Sequence, residues 1–169
     1  MDTWKFYDIT HREHMICNPT SEEKLARLVE LLRLPTHAQV VDIACGKGEF
    51  LIRLAEAYGV RGVGIDISAF HVADAERTLK ARASNAGVTF TQMDGADFQP
   101  DEPQSLDLAS CIGASWVFGG HANTLEALTG MVKPSGWVVV GEPYWRQQPS
   151  DECLEAYGCT REDFGGHHS

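Results

Sequence analysis

The chain has 169 residues, 43% of them hydrophobic, which is enough for one domain with its own core and too few for two comfortable ones. Its 14 basic and 24 acidic residues give a net charge of −10, and no run of lysine or arginine offers a path for a phosphate backbone, so we expect no nucleic-acid partner. Residues 1–14 mix charges with aromatics, and no stretch of about 18 apolar residues occurs, which predicts a cytoplasmic protein without a membrane partner.

Cysteine and histidine usage gives no sign of a metal site. The 5 cysteines are odd in number and form no CxxC pair, which favours reduced, packed thiols over a disulfide framework or a zinc site. His11 and His14 have the HxxH spacing, but no third ligand is evident near them. We therefore expect no metal.

A first helix is predicted over residues 20–33. Thr20 to Glu23 combine hydroxyls with a carboxylate three residues on, which is typical of a helix start, and leucines follow at helical spacing. Pro35 ends this segment. The β-branched run over 39–43 shows no alternation, as expected of a strand covered on both faces.

Strands and helices then alternate to the end of the core. The sequence patterns predict helices over 50–58, 68–85 and 121–132, and strands over 61–67, 88–93, 106–112 and 137–141. A loop at 101–104, a turn at 134–136 and a short helical piece near 150–157 complete the prediction. This alternation indicates an α/β fold, a doubly wound Rossmann-like parallel sheet of about five strands flanked by helices, with its ligand beyond the carboxyl ends of the strands.

Two glycines follow the first strand in VVDIACGKGEF, residues 40–50. A glycine turn between a strand and a helix lets a ligand approach the backbone and the positive end of the helix. A dinucleotide site needs GxGxxG, and Leu51 stands where the third glycine belongs. Asp42 at the strand end would repel a pyrophosphate and attract a cationic ligand, such as a sulfonium that bears an ammonium group. These features favour S-adenosylmethionine over a nicotinamide cofactor.

The segment Asp42 to Gly48 resembles the first motif, DxGxGxG, of the class I S-adenosylmethionine-dependent methyltransferases. Ala44 replaces the first glycine of that motif, which predicts a slightly tighter turn. The resemblance covers about residues 36–145 and is of the small-molecule methyltransferase type. It implies one domain in three parts: an N-terminal lid or helical segment over 1–35, an S-adenosylmethionine-binding core over 36–145, and a tail over 146–169.

The resemblance also implies a set of cofactor-binding residues at the ends of successive strands. Asp42 would organise the methionine end, Asp66 would accept from both ribose hydroxyls, and Asp94 would accept from the adenine amine. The full cofactor-binding prediction is Asp42, Ala44, Cys45, Gly46, Gly48, Asp66, Ile67, Asp94, Gly95, Ala96, Cys111 and Ile112.

Residues after the fourth and fifth strands are predicted to face the methyl acceptor. Ser115, Trp116, Tyr144 and Trp145 are the substrate candidates, and His121 and Glu142 are the candidates for a general base. A helix-capping histidine and an exposed turn acid are the alternative interpretations of the last two. In the N-terminal segment, Tyr7, His11 and Asn18 are candidates for a lid over the cofactor.

The family fold continues past the fifth strand into two more strands, for which the residues after Trp145 are too few. We therefore expect a core that lacks the last two strands, that is C-terminally truncated relative to the family, and that pairs with a second copy through the edge of the fifth strand. The expected function is methyl transfer to a small molecule. A non-catalytic cofactor-binding or interaction module is the first alternative, and a nicotinamide-dependent oxidoreductase is the second.

Overall fold

The computed structural model describes residues 3–143 and 146–161, which form helices packed on one sheet. The helices are α1 (Thr3–Thr10), α2 (Glu22–Leu32), α3 (Glu49–Tyr58), α4 (Ala69–Arg82), α5 (His121–Met131) and α6 (Asp151–Tyr157). The strands are β1 (Gln39–Ile43), β2 (Arg61–Asp66), β3 (Gly87–Gln92), β4 (Leu106–Ile112) and β5 (Val132–Gly141). Short 3-10 helices cover Gly95–Asp97 and Ser115–Phe118.

The five strands are all parallel and lie in the order β3-β2-β1-β4-β5. The chain moves outward from β1 to β3 and then returns to the other side of β1 to place β4. The strand order therefore reverses between β1 and β4, and in open parallel sheets ligands bind at such a point, beyond the carboxyl ends of the strands. The predicted doubly wound, Rossmann-like sheet is confirmed.

Helices cover both faces of this sheet, and each face has its own apolar core. Val40 and Leu108 point into a core with α2 and α3, whereas the adjacent Val41 and Ala109 point into the core under α5. Neighbouring residues of a strand face opposite sides, so both must be apolar when both sides are covered. This is the physical reason that β1 shows no alternation in the sequence.

Helix ends use the capping residues that the sequence supplies. Ser21 accepts a hydrogen bond from the Lys24 amide, so that α2 begins at Glu22 and not at the predicted residue 20, and Ser68 accepts one from the His71 amide in α4. Gly59 ends α3 in the left-handed conformation, and its amide donates to the Ala55 carbonyl.

The fifth strand begins earlier than predicted. The sequence places a helix through Val132 and a turn at 134–136, whereas the structure extends β5 from Val132 and absorbs the turn residues as an irregularity in its pairing with β4. Leu106 pairs with Val132, and Leu108 pairs with Trp137. Pro134 has no amide hydrogen to donate to a neighbouring strand. An outer strand tolerates this residue, because the hydrogen bonds between the central strands are not interrupted.

Among the described residues, no helix has both the length and the apolar character needed to span a membrane.

Candidate functional site

A cavity of about 640 Å³ lies at the carboxyl ends of β1, β2 and β4, at the point where the strand order reverses. Residues of the connection between β1 and α3 form one wall, and residues that precede α2 form another. Its volume is within the range of about 300–1,000 Å³ that is usual for small-molecule sites. Most of the predicted cofactor residues line it: Asp42, Ala44, Cys45, Gly46, Asp66, Ile67, Asp94, Gly95 and Ile112.

The connection between β1 and α3, residues 44–48, is here called the glycine loop. Ala44, Gly46 and Gly48 all have positive φ angles, of 54°, 56° and 74°. The Gly46 amide donates to Oδ2 of Asp66 at 2.8 Å, and the Gly48 amide donates to the Cys45 carbonyl at 3.0 Å. The loop is therefore folded by its own hydrogen bonds, and these two amides are already engaged.

The two glycines of the loop have different functions in the structure. Gly46 lines the cavity, and a Cβ there would lie 3.5 Å from Cys17, an ordinary contact. A Cβ on Gly48 would lie 2.4 Å from the ring of Phe90, so Gly48 allows α3 to pack against the sheet. Gly48 was predicted to bind cofactor, and the structure places it against the core and not among the residues that line the cavity.

Asp42 is a deeply buried carboxylate of the cavity wall. Its residue surface is 4% exposed, and the Ser110 hydroxyl donates to Oδ1 at 2.7 Å. Burial raises the pKa of Asp42 to about 7; the nearby charge of Asp66 adds to the increase, and the Ser110 hydrogen bond opposes it. Ionisation of Asp42 therefore costs free energy, and a cation beside the carboxylate would stabilise the ionised form.

Asp66 ends β2 and holds three neighbouring groups. In addition to the Gly46 amide on Oδ2, its Oδ1 accepts from the Ser68 amide at 2.9 Å and lies 3.3 Å from Nδ1 of His71. The predicted ribose acid thus also joins the glycine loop to the start of α4. His71, which lies in the first turn of α4 five residues after Asp66, also lines the cavity, and no sequence motif pointed to it.

Asp94 and the residues after it form the far wall. Asp94 starts the 3-10 helix Gly95–Asp97, and its Oδ1 accepts from the Ala96 amide at 3.0 Å. Gly95 lines the cavity, whereas Ala96 is exposed outside it. Ile67, at the end of β2, is 39% exposed and lines the same cavity.

Cys111 lies in the core under α5 with no exposed surface, so its side chain is outside the cavity lining. Burial, with a smaller contribution from Asp42, raises the pKa of Cys111 to about 12. Burial also raises the pKa values of Cys17 and Cys45. These thiols are protonated at neutral pH and act as packing groups. No cluster of three metal-ligating side chains occurs within 3–143 and 146–161.

Three of the predicted acceptor-side residues, Ser115, Trp116 and Glu142, lie together after the ends of β4 and β5. Oε1 of Glu142 accepts from the Ser115 amide at 3.0 Å, which fixes the 3-10 helix Ser115–Phe118. Trp116, in that helix, is 71% exposed and lines the cavity. Ser115, Glu142 and His121, the first residue of α5, are outside the lining. Tyr144 and Trp145 lie outside the described residues.

The N-terminal segment, residues 3–20, borders the cavity. It is held there by Lys47, for which no sequence motif predicted this role. Lys47 of the glycine loop donates through Nζ to the carbonyls of His11 at 2.8 Å and Arg12 at 2.9 Å. The same Nζ lies 3.3 Å from Oδ2 of Asp74. Because these carbonyls follow the end of α1, the ammonium also complements the negative end of that helix.

The same segment supplies several cavity residues. Asn18 donates through Nδ2 to the Ile112 carbonyl at 3.3 Å and so reaches the end of β4. The segment contributes Tyr7, His11, Met15, Ile16, Cys17 and Asn18 to the lining.

Glu49, at the start of α3, is a second buried acid that lines the cavity. Arg53 donates to Oε1 at 2.5 Å, and Arg82 donates to Oε2 at 2.6 Å. Two guanidinium groups therefore compensate its charge. Asp42 has no such cationic partner among the described salt bridges, which leaves it as the acid that most needs a cation.

Known proteins with similar sequences point to the same family as the order of motifs along the chain. Residues 40–136, more than half of the chain, match the family model of a methyltransferase domain. The uncharacterized protein YjhP of Escherichia coli strain K12 is 38% identical over 161 residues, which are 95% of this chain and 64% of YjhP. The trans-aconitate 2-methyltransferase of Paracidovorax citrulli is 32% identical over 127 residues, which are 73% of this chain and 46% of that enzyme.

A solved structure shows the same fold with a product of methyl transfer bound. The S-adenosylmethionine-dependent methyltransferase of Thiobacillus denitrificans, in complex with S-adenosylhomocysteine, superposes with a TM-score of 0.87 at 38% identity. The match covers 97% of this chain and 66% of the other. The chain thus spans slightly less than two thirds of the length of YjhP and of the Thiobacillus denitrificans protein, and less than half of the trans-aconitate 2-methyltransferase.

The cavity fits S-adenosylmethionine by the chemistry of its walls. They carry a buried carboxylate at Asp42, which attracts a cation, and further carboxylates at Asp66 and Asp94, which accept hydrogen bonds from hydroxyl and amine donors. These three groups stand at the ends of adjacent strands, in the order that the family motifs follow. By its motifs, its sheet and these matches, the chain belongs to the class I S-adenosylmethionine-dependent methyltransferase family.

Proposed function

We propose that this chain binds S-adenosylmethionine in the 640 Å³ cavity and transfers its methyl group to a small molecule. The observation that carries the proposal is the buried, uncompensated carboxylate of Asp42 at the point where the strand order reverses. An anionic cofactor would be repelled there, whereas a sulfonium and an ammonium would be attracted. A nicotinamide dinucleotide fits this wall poorly.

The roles of the chain's own residues follow from their positions. Asp42 would hold the cationic end of the cofactor, Asp66 the ribose and Asp94 the adenine amine, with Ile67 and Ile112 as apolar cover. The bound cofactor supplies a methyl group activated by its positive sulfur. Methyl transfer then requires mainly that the acceptor be held in line, which the protein achieves by position.

The acceptor side is proposed at the 3-10 helix Ser115–Phe118. Trp116 is a large exposed aromatic at the mouth of the cavity, a surface suited to a partly apolar small molecule. His121 and Glu142 remain the proposed bases, and the hydrogen bond from the Ser115 amide gives Glu142 a fixed position beside Trp116. A relative is a trans-aconitate 2-methyltransferase, which supports a small acceptor. A cytoplasmic location stays a prediction.

Titration calorimetry with S-adenosylhomocysteine and NAD in parallel tests the cofactor. We expect S-adenosylhomocysteine to bind and NAD not to bind. Asp42→Asn should weaken S-adenosylhomocysteine binding, because the homocysteine ammonium loses its carboxylate, and the exposed Asp101→Asn serves as the matched control. Binding of NAD alone would overturn the proposal.

Acceptor chemistry is tested separately by transfer of labelled methyl from S-adenosylmethionine to a panel of small carboxylic acids and phenols. Glu142→Gln combined with His121→Gln should lower the transfer rate. Full activity of this double variant would remove both residues from acid–base catalysis and leave positioning as the mechanism.

A further inference from the structure

His71 is a buried histidine of the cavity wall for which neither the motifs nor the proposed function has a role. It lies in the first turn of α4, and its side chain is 10% exposed. One ring nitrogen, Nδ1, lies 3.3 Å from Oδ1 of Asp66. The other, Nε2, is buried and has no hydrogen-bond partner within the described part of the chain. Buried polar atoms usually have partners, so this atom calls for a ligand.

The contact with Asp66 decides what kind of ligand that is. A carboxylate only accepts hydrogen bonds, so Nδ1 must carry the proton that points to Oδ1. With Nδ1 as the only protonated nitrogen, Nε2 accepts, and its partner must be a hydrogen-bond donor. A hydroxyl meets this requirement, and it also accepts from Nε2 when both nitrogens are protonated.

The hydrogen bonds of Asp66 identify the donor. Oδ1 accepts from the Ser68 amide and from His71, and Oδ2 accepts from the Gly46 amide. Each carboxylate oxygen has about two acceptor positions, so Asp66 retains about one for a ligand. A ribose presents two neighbouring hydroxyl donors. Asp66 alone can satisfy only one of them, which differs from the sequence-based expectation that it accepts from both.

We propose that Nε2 of His71 accepts a hydrogen bond from one ribose hydroxyl of the cofactor while Asp66 accepts from the other. This inference rests on the proposed function, because it assigns part of the same cofactor site. Asp66 would act twice, as a direct acceptor and as the group that keeps the proton of His71 on Nδ1. The other cofactor donors are assigned elsewhere, the adenine amine to Asp94 and the ammonium to Asp42.

Calorimetry with three ligands tests the assignment: S-adenosylhomocysteine, its 2′-deoxy analogue and its 3′-deoxy analogue. In the wild-type chain, each deoxy analogue should bind about fivefold to tenfold more weakly, as expected for loss of one hydrogen bond. In His71→Leu, the analogue that lacks the hydroxyl assigned to His71 should bind as tightly as S-adenosylhomocysteine does. The analogue that lacks the hydroxyl assigned to Asp66 should still bind more weakly.

The controls separate this inference from folding and from the proposed function. His37→Leu changes an exposed histidine that precedes β1, at the opposite end of the strands. This variant should still bind each of the two deoxy analogues more weakly than S-adenosylhomocysteine. If His71→Leu does not fold, as judged by its melting transition, His71→Met takes its place. The inference would be overturned if the His71 variant lost as much affinity for both deoxy analogues as the wild type does. It would also be overturned if the wild type bound the deoxy analogues as tightly as S-adenosylhomocysteine. Failure of the wild type to bind S-adenosylhomocysteine would instead overturn the proposed function.

Discussion

Ala44 holds a backbone conformation that glycine adopts at much lower cost. Its φ of 54° lies in the left-handed region, where a Cβ costs about 1 kcal/mol or more. The family motif has glycine at this position. The replacement that the sequence suggested to be a tighter turn is, in the structure, a strained residue at the entrance to the glycine loop.

We expect Ala44→Gly to raise the free energy of unfolding by up to about 1 kcal/mol, because relief of the strain outweighs the added freedom of the unfolded chain. Chemical denaturation measures the change. The matched control is Ala57→Gly, at an exposed position inside α3, which should lower stability by about 1 kcal/mol. Equal destabilisation by both substitutions would show that Ala44 is not strained.

Asp42 gives the stability of the chain, measured without added cofactor, a pH dependence of a defined sign. Its pKa is about 7 in the folded state and near 3.8 in the unfolded chain, so the folded state holds the proton more tightly. Stability should therefore fall as pH rises from about 4 to about 7. Asp42→Asn removes this penalty, and its melting temperature should exceed that of the wild type by more at pH 8 than at pH 5. A difference independent of pH would contradict the raised pKa.

The same group should make cofactor binding pH-dependent in the opposite sense. A cationic ligand favours the ionised carboxylate, so binding of S-adenosylmethionine should weaken as pH falls below about 7 and should release protons near that pH. Calorimetry in buffers with different ionisation enthalpies measures the protons released. The Asp42→Asn variant should release none through this group, and equal release from both chains would exclude Asp42 as the source.

At the scale of elements, the N-terminal segment is attached to the glycine loop by the ammonium of Lys47. Its side chain is 9% exposed, and it joins the end of α1 to Asp74 of α4. The sequence pattern predicted a segment over the cofactor from aromatic and histidine residues, but the lysine that holds it lay within the glycine motif and had no separate signal.

Lys47→Met should loosen this segment without removing the apolar stem that packs in the loop. Hydrogen exchange of the amides in residues 5–18 should become faster, and S-adenosylhomocysteine should dissociate more rapidly. Lys24→Met, at an exposed position of α2, is the matched control and should change neither rate. If the hydrogen-exchange rates of these amides were the same in Lys47→Met and the wild type, side-chain packing alone would hold the N-terminal segment in place.

At the scale of the whole molecule, β5 pairs with β4 and forms one edge of the described sheet. Trp137 on this strand is 49% exposed. An outer strand with unpaired backbone groups and an exposed aromatic favours pairing with a second chain, because both the hydrogen bonds and the apolar surface are then satisfied.

We therefore expect the 169-residue chain to self-associate through β5, as measured by light scattering over a range of concentrations. Trp137→Lys should shift the population toward monomer, since a lysine on an edge strand opposes strand pairing. Leu31→Lys replaces a similarly exposed apolar residue on α2 and should leave association unchanged. A wild-type chain that is monomeric throughout would contradict this expectation.

The sequence by itself determined the order of strands and helices and the acids at the strand ends, because periodicity and capping are local properties. Only the tertiary structure decided which atoms remain for a ligand. Gly46 and Gly48 were predicted to bind the cofactor, but their amides donate to partners within the protein, and Gly48 packs on Phe90. Lys47 contacts carbonyls far from it along the chain, and His71 of α4 contacts Asp66 at the end of β2. Hydrogen-bond capacity depends on every neighbour in space, and no local pattern records those neighbours.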